Sequence, residues 1–171
     1  ENDMSKKVPL LGMFVAFAVI LSYVESCIPV LGIPGMKIGL ANLAIIIVLY
    51  LEETKEAAVC NFVRILIVGF MFGNLFSIFF ALAGATLSMI VMVIMKKTNK
   101  FSIMIVSMFG GIFHNIGQIV VASFVVDNYY IFGYLPILIL TGAVTGAIIG
   151  IVSRLVLDRI DKFYNNKGDI Q

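Results

Sequence analysis

The chain has 171 residues, 61% of them hydrophobic, with mean hydropathy +1.07 and a net charge of only +2. A soluble domain of this length cannot hide so much apolar surface, so most of it must face lipid or neighbouring helices. That excludes an aqueous catalytic domain, and no basic patch interleaved with aromatics points to nucleic acid. The pattern predicts an all-α membrane protein whose first partner is the lipid bilayer.

A span needs about 20 apolar residues, fewer where it is buried or broken. Residues 1–7 read as a polar tail, with Met4 as a natural start and residues 1–3 an addition before it. The first helix is expected over residues 8–27. Lys6 and Lys7 ahead of an apolar run resemble a signal peptide. However, the run passes Ser22 without a small-x-small cleavage site, so it reads as a span. It ends at Pro29, Gly32, Pro34 and Gly35, which cannot continue a helix. A short second helix is expected over 38–51 and a third over 56–72, after a charged turn at 52–55. Gly73-Asn74 then makes a tight turn. A fourth helix is expected over 75–95, followed by a lysine-rich loop, and a fifth over 102–126, stopped by Asp127-Asn128. The sixth is expected over 132–157, with Pro136 in its first turn. Residues 8–157 thus form one transmembrane domain, and 158–171 a polar, frayed tail.

Six spans place both termini on one side. Lys6, Lys7, Lys55, Lys96, Lys97, Lys100, Arg154, Arg159, Lys162 and Lys167 fall on that side, and Lys37 on the other. The positive-inside rule then puts both termini in the cytoplasm. Cys27 and Cys60 fall at different depths, too far apart for a disulfide, and two thiols alone make no metal site.

Arg64 and His114 each fall near the middle of an apolar segment. A cation at the bilayer centre costs about 2.5–3.5 kcal/mol on insertion scales, so it normally faces a packed interior or a wet cavity. Asn61 and Arg64 are three apart on one helix face. His114 and Gln118 are four apart, and Asn115 and Gln118 three apart, on another. Glu25, Lys37, Asn42 and Asn74 lie toward the end of the bundle opposite the termini. Two readings follow. In one, Arg64 pairs with Glu25 or helix-end carbonyls and the amides bridge helices. In the other, these groups line a pocket in which Arg64 and Lys37 bind an anionic group and Asn42, Asn61, His114, Asn115 and Gln118 read polar edges. A proton relay through His114 is a third possibility.

Gly142, Gly146 and Gly150 recur every four residues, and Ala81, Gly84, Ala85 and Ser88 form a similar face. Such small-residue faces let helices pack closely in lipid. Gly12 and Ala16 form another, which either packs internally or docks a partner helix. The sequence holds no Walker-type phosphate loop, no DDxxD pair for magnesium and no nucleophile–base constellation. No catalytic residue, metal ligand or cofactor is expected.

The string Pro34-Gly35-Met36-Lys37-Ile38-Gly39-Leu40-Ala41-Asn42 resembles the PGxKxGLAN signature of the bacterial Gx transporter family. That family is also described as component I of heptaprenyl diphosphate synthase. Arg64 with Gly69 and Gly73, the stretch Leu82-Ala83-Gly84, the run His114-Asn115-Ile116-Gly117-Gln118, and Tyr134-Leu135-Pro136 before Thr141-Gly142 and Thr145-Gly146 extend the match over residues 8–157. The family is similar to the six-helix substrate-binding (S) components of energy-coupling-factor importers. The resemblance implies an S-component-like bundle in the bacterial cell membrane that takes a small anionic nutrient or cofactor precursor from outside. Its implied partner is a transmembrane coupling subunit carrying an ATPase pair, docked on the Gly12 and Ala16 face. The usual alanine pair is only half kept there. The alternative is a membrane accessory to polyprenyl diphosphate or quinone synthesis or to redox cofactor handling. Without an acidic pair, the chain would then assist a separate catalytic subunit.

Overall fold

A computed structural model describes residues 2–27 and 39–168, with side chains for 7–27 and 39–163. The segment 28–38, which includes Lys37, lies outside the described residues. The described residues form six α-helices: α1 (Asn2–Cys27), α2 (Leu40–Leu51), α3 (Thr54–Phe72), α4 (Leu75–Thr98), α5 (Ile103–Val126) and α6 (Leu135–Gly168). A 3-10 turn over Tyr129–Tyr134 leads into α6. Four helices, α1, α4, α5 and α6, are long and apolar enough to cross a membrane. Large apolar side chains such as Phe79, Ile94, Phe124, Leu140 and Ile148 are exposed on the outer surface. That is the surface a bilayer covers, since lipid is the solvent in which outward-facing apolar groups cost nothing.

Several ends differ from the sequence reading. α1 starts at Asn2 rather than residue 8 and carries Pro9 inside its first turns. α4 continues through Lys96 and Lys97 to Thr98, so these lysines lie in a helix rather than a loop. α6 runs on to Gly168 past the point where a frayed tail was expected. In each case apolar periodicity ends before the backbone hydrogen bonding does, because a helix leaving the apolar layer continues with polar residues. Pro136 sits in the first turn of α6 as expected, where its missing N–H would have had no helical acceptor.

α2 is the centre of the bundle. Its residues Ala44, Ile45, Ile46, Ile47, Val48 and Leu49 are all buried, as befits a helix that is apolar on every side. Ile45, Val48 and Leu49 pack with Cys60 of α3, Met92 of α4 and Ile149 of α6 in the main core cluster. Such enclosure explains why 12 residues suffice. At its C-terminus, where carbonyls lack helical partners, Lys96 Nζ donates to the Leu49 carbonyl and lies 5.2 Å from the centroid of the Tyr50 ring.

Helices α4, α5 and α6 meet along glycines. A Cβ on Gly84 of α4 would come within 2.7 Å of the His114 carbonyl, and one on Gly117 of α5 within 2.7 Å of the Ala83 carbonyl. Across the other seam, a Cβ on Gly142 would lie 2.8 Å from the Gly111 carbonyl, one on Gly146 2.6 Å from the Ser107 carbonyl, and one on Gly150 2.6 Å from Met104 Cα. The α6 glycines and the α4 small-residue face are therefore intramolecular packing surfaces, in which backbone meets backbone. Gly12 differs, since a Cβ there would meet nothing within 4 Å, and Ala16 is exposed.

The seam predicts opposite outcomes for the same change. Gly146→Ala should cost about 1–3 kcal/mol through overpacking. Gly12→Ala should alter stability by no more than about 0.5 kcal/mol. Thermal unfolding of the detergent-solubilised variants measures both.

Candidate functional site

Helix ends and small residues decide where the polar groups gather. α1 brings Glu25 to its C-terminal end, and α2 begins beside it at Gly39, whose φ of 81° is left-handed and suits a residue without a side chain. The Gly39 N–H donates to Glu25 Oε1, tying the two ends together. α3 presents Arg64, and the close approach of α5 to α6 presents Ser107, His114 and Asn115. These elements enclose a cavity of about 60 Å³ lined by Glu25, Asn42, Arg64, Ser107, His114 and Asn115, among others. In a chain this apolar, such a concentration of polar side chains from four helices is the outstanding feature of the interior.

Arg64 is held from one side. Its Nη2 donates to Asn61 Oδ1 at 2.6 Å, one turn back on α3. Its Nε is buried and has no hydrogen-bond partner among the described residues. The Glu25 carboxylate borders the same cavity as the guanidinium. Ser107 is 1% exposed, and its Oγ also has no partner. Most buried hydroxyls in helices donate to a carbonyl one turn back, as Ser153 does to Ile149 and Ser22 to Ala18, each at 2.8 Å. Ser107 is thus an unsatisfied donor and acceptor facing a polar cavity. Asn115 Nδ2 donates to the Leu138 carbonyl at 2.7 Å, which fixes the amide and leaves Oδ1 to accept.

Four of the sequence-predicted site residues, Asn42, Arg64, His114 and Asn115, come together at this cavity. Asn61 is 4% exposed and acts behind Arg64, as its hydrogen-bond partner, rather than on the lining. Gln118 is turned toward α4, where its Cγ would lie 2.9 Å from a Cβ on Gly84, and does not line the cavity. Lys37 is outside the described residues. Asn74 is exposed and caps α4: its Oδ1 accepts from the Ser77 N–H at 2.8 Å, and Ser77 Oγ accepts from the Asn74 N–H at 2.9 Å. Sequence reading missed Ser107. The signal was its place seven residues before His114, on the same face of α5.

A second, wider groove of about 880 Å³ lies among the N-terminal part of α1, the end of α2 and the C-terminal part of α6. Its lining is mostly apolar, including Leu10, Met13, Phe14 and Leu155, with Glu52 and Arg159 beside them. It is open and lacks the converging polar groups of the first cavity.

The Asn61–Arg64 contact has a measurable consequence. Asn61→Ala should destabilise the protein by about 1–3 kcal/mol, because it leaves a buried guanidinium N–H unsatisfied. Asn61→Asp should recover most of that loss. Equal stability of wild type and Asn61→Ala in thermal unfolding would show that the contact carries no weight.

Neither the curated proteins nor the solved structures include a match to this chain. A family model does match, over residues 14–156, which takes in α2 to α5, parts of α1 and α6, and every lining residue of the cavity. The chain belongs to the family described as heptaprenyl diphosphate synthase component I.

Proposed function

We propose that the protein is the substrate-binding membrane subunit of an importer of the energy-coupling-factor type. The observation that carries this reading is the cavity itself. Arg64, Asn42, His114 and Asn115 arrive from three helices of an apolar chain and meet at one polar space. Bundles place ligand sites between facing helices in this way, and charged groups at membrane depth mark substrate paths. Arg64 recognises an anionic group on the substrate, through the Nε that has no protein partner. Lys37, which lies outside the described residues, is proposed as a second cation for the same anionic group. Both termini face the cytoplasm of a bacterial cell, as the lysine and arginine distribution favours. The substrate then enters from the opposite face. The uncovered Gly12 and Ala16 face of α1 receives a transmembrane coupling subunit, whose ATPase pair supplies the energy.

The family description favours a second reading, in which the chain is a membrane accessory to polyprenyl diphosphate synthesis. The sequence lacks the paired aspartates that hold magnesium for such chemistry, so the catalytic carboxylates would come from another subunit. Co-purification separates the two readings: ATPase subunits support the first, a soluble prenyl synthase the second.

Native mass spectrometry of the gently purified protein, with identification of any small molecule released, tests the site. The wild type should retain a stoichiometric ligand. Arg64→Ala should weaken its binding more than tenfold while the protein stays folded. Undiminished binding by Arg64→Ala would overturn the assignment.

A further inference from the structure

Resting on the substrate-binding reading, we infer that the cavity receives a zwitterionic head, a compact group carrying one positive and one negative charge. Both signs of charge line the same small space. Glu25 and Arg64 border it together, and each is already held by a neutral partner, Glu25 by the Gly39 N–H and Arg64 by the Asn61 amide. Those partners position the two charges and carry no charge themselves. A net anion bound at Arg64 would also face the Glu25 carboxylate, and a net cation at Glu25 would face the guanidinium. A ligand with one charge of each sign satisfies both.

The hydrogen-bonding capacity fits the same ligand. Arg64 Nε is a buried donor without an acceptor, as a carboxylate would supply. The Glu25 carboxylate has room for further donors beyond Gly39, as an ammonium would supply. Ser107 Oγ is buried, unpartnered and on the lining, and it serves either group. Asn115 Oδ1 adds a further acceptor once its amide nitrogen is spent on Leu138.

Size narrows the class. A cavity of about 60 Å³ holds roughly four waters, whereas sites that enclose a drug-sized molecule run to about 300–1,000 Å³. The cavity therefore takes the charged head of the ligand and not an extended aromatic or isoprenoid body.

Three probes of similar size test the inference on the purified full-length protein: glycine with both charges, acetate with the negative charge alone, and methylammonium with the positive charge alone. Half-saturating concentrations come from ligand-induced shifts in thermal unfolding. In the wild type, glycine should act at a concentration at least tenfold below either single-charge probe. Glu25→Gln keeps an acceptor for Gly39 but removes the charge. It should weaken glycine about tenfold and strengthen acetate severalfold, a reversal that loss of structure alone would not produce. Acetate equal to or better than glycine in the wild type would overturn the zwitterion. The substrate-binding reading would survive as a simple anion site. No shift from any probe would also overturn the inference, and a small molecule retained by wild type but lost from Arg64→Ala would still uphold that reading. The wild-type ranking needs no variant, so misfolding of Glu25→Gln leaves the test standing.

Discussion

A guanidinium cannot lie in hydrocarbon without company, and the arrangement of this bundle follows from the company that Arg64 keeps. Asn61 sits one turn back on the same face of α3 and accepts its hydrogen bond. Glu25 arrives from α1 with a charge of opposite sign. Each of these groups is itself expensive away from water and needs a partner in turn, which for Glu25 is the first N–H exposed at the start of α2. One misplaced cation therefore fixes the relation of α1, α2 and α3 at that end of the molecule. Its Nε has no hydrogen-bond partner among the described residues, and Arg64 borders the cavity. A cavity at this point is the geometric remainder of a charge that is partly but not wholly satisfied.

The other wall is set by a different force. Lipid tails are as apolar as leucine, so helices in a bilayer gain little by hiding apolar groups from one another, and close packing has to hold them. Glycines on α4, α5 and α6 supply it. Gly84 lies against the His114 carbonyl and Gly146 against the Ser107 carbonyl, so two of the lining residues are fixed at the backbone. Positions fixed in this way cannot slide by a turn without a collision. The seam thereby converts a packing device into a positional one, holding His114, Asn115 and Ser107 opposite Arg64. α2 completes the frame as a buried core helix, sealed by Lys96 at the end remote from the cavity.

The sequence made the helix count, the tight turn at Gly73-Asn74, the α6 glycine face and the meeting of Arg64 with His114 and Asn115 legible. Each of these is a periodicity or a composition contrast against an apolar background. What it concealed was which way a polar residue turns. Asn61 and Gln118 share helical faces with Arg64 and His114, yet one is taken up by its neighbour on the same helix and the other faces α4. Spacing defines a face to within about a third of a helix circumference, and partner choice within that arc depends on tertiary contacts. Asn74 begins α4 as its position after Gly73 suggested, although a capping residue and a ligand-binding residue look alike in one dimension. Ser107 was hidden by the opposite problem. A serine in an apolar helix ordinarily bonds its own backbone, and only the structure shows that this one does not.

Family membership and the interior chemistry bear on each other. The family description speaks of a component, which implies that the chain works with another subunit. The cavity holds one carboxylate, one guanidinium, an imidazole, amides and hydroxyls. That inventory suits recognition, since it offers both charges and many hydrogen bonds. It lacks the second carboxylate that a magnesium–diphosphate centre requires. The small residues of α1 are used differently from those of the other helices: a Cβ on Gly12 would meet nothing within 4 Å and Ala16 is exposed, whereas the glycines of α4, α5 and α6 are committed to the interior. The division among small residues thus separates the helices packed closely around the cavity from the helix whose small residues the bundle leaves uncovered.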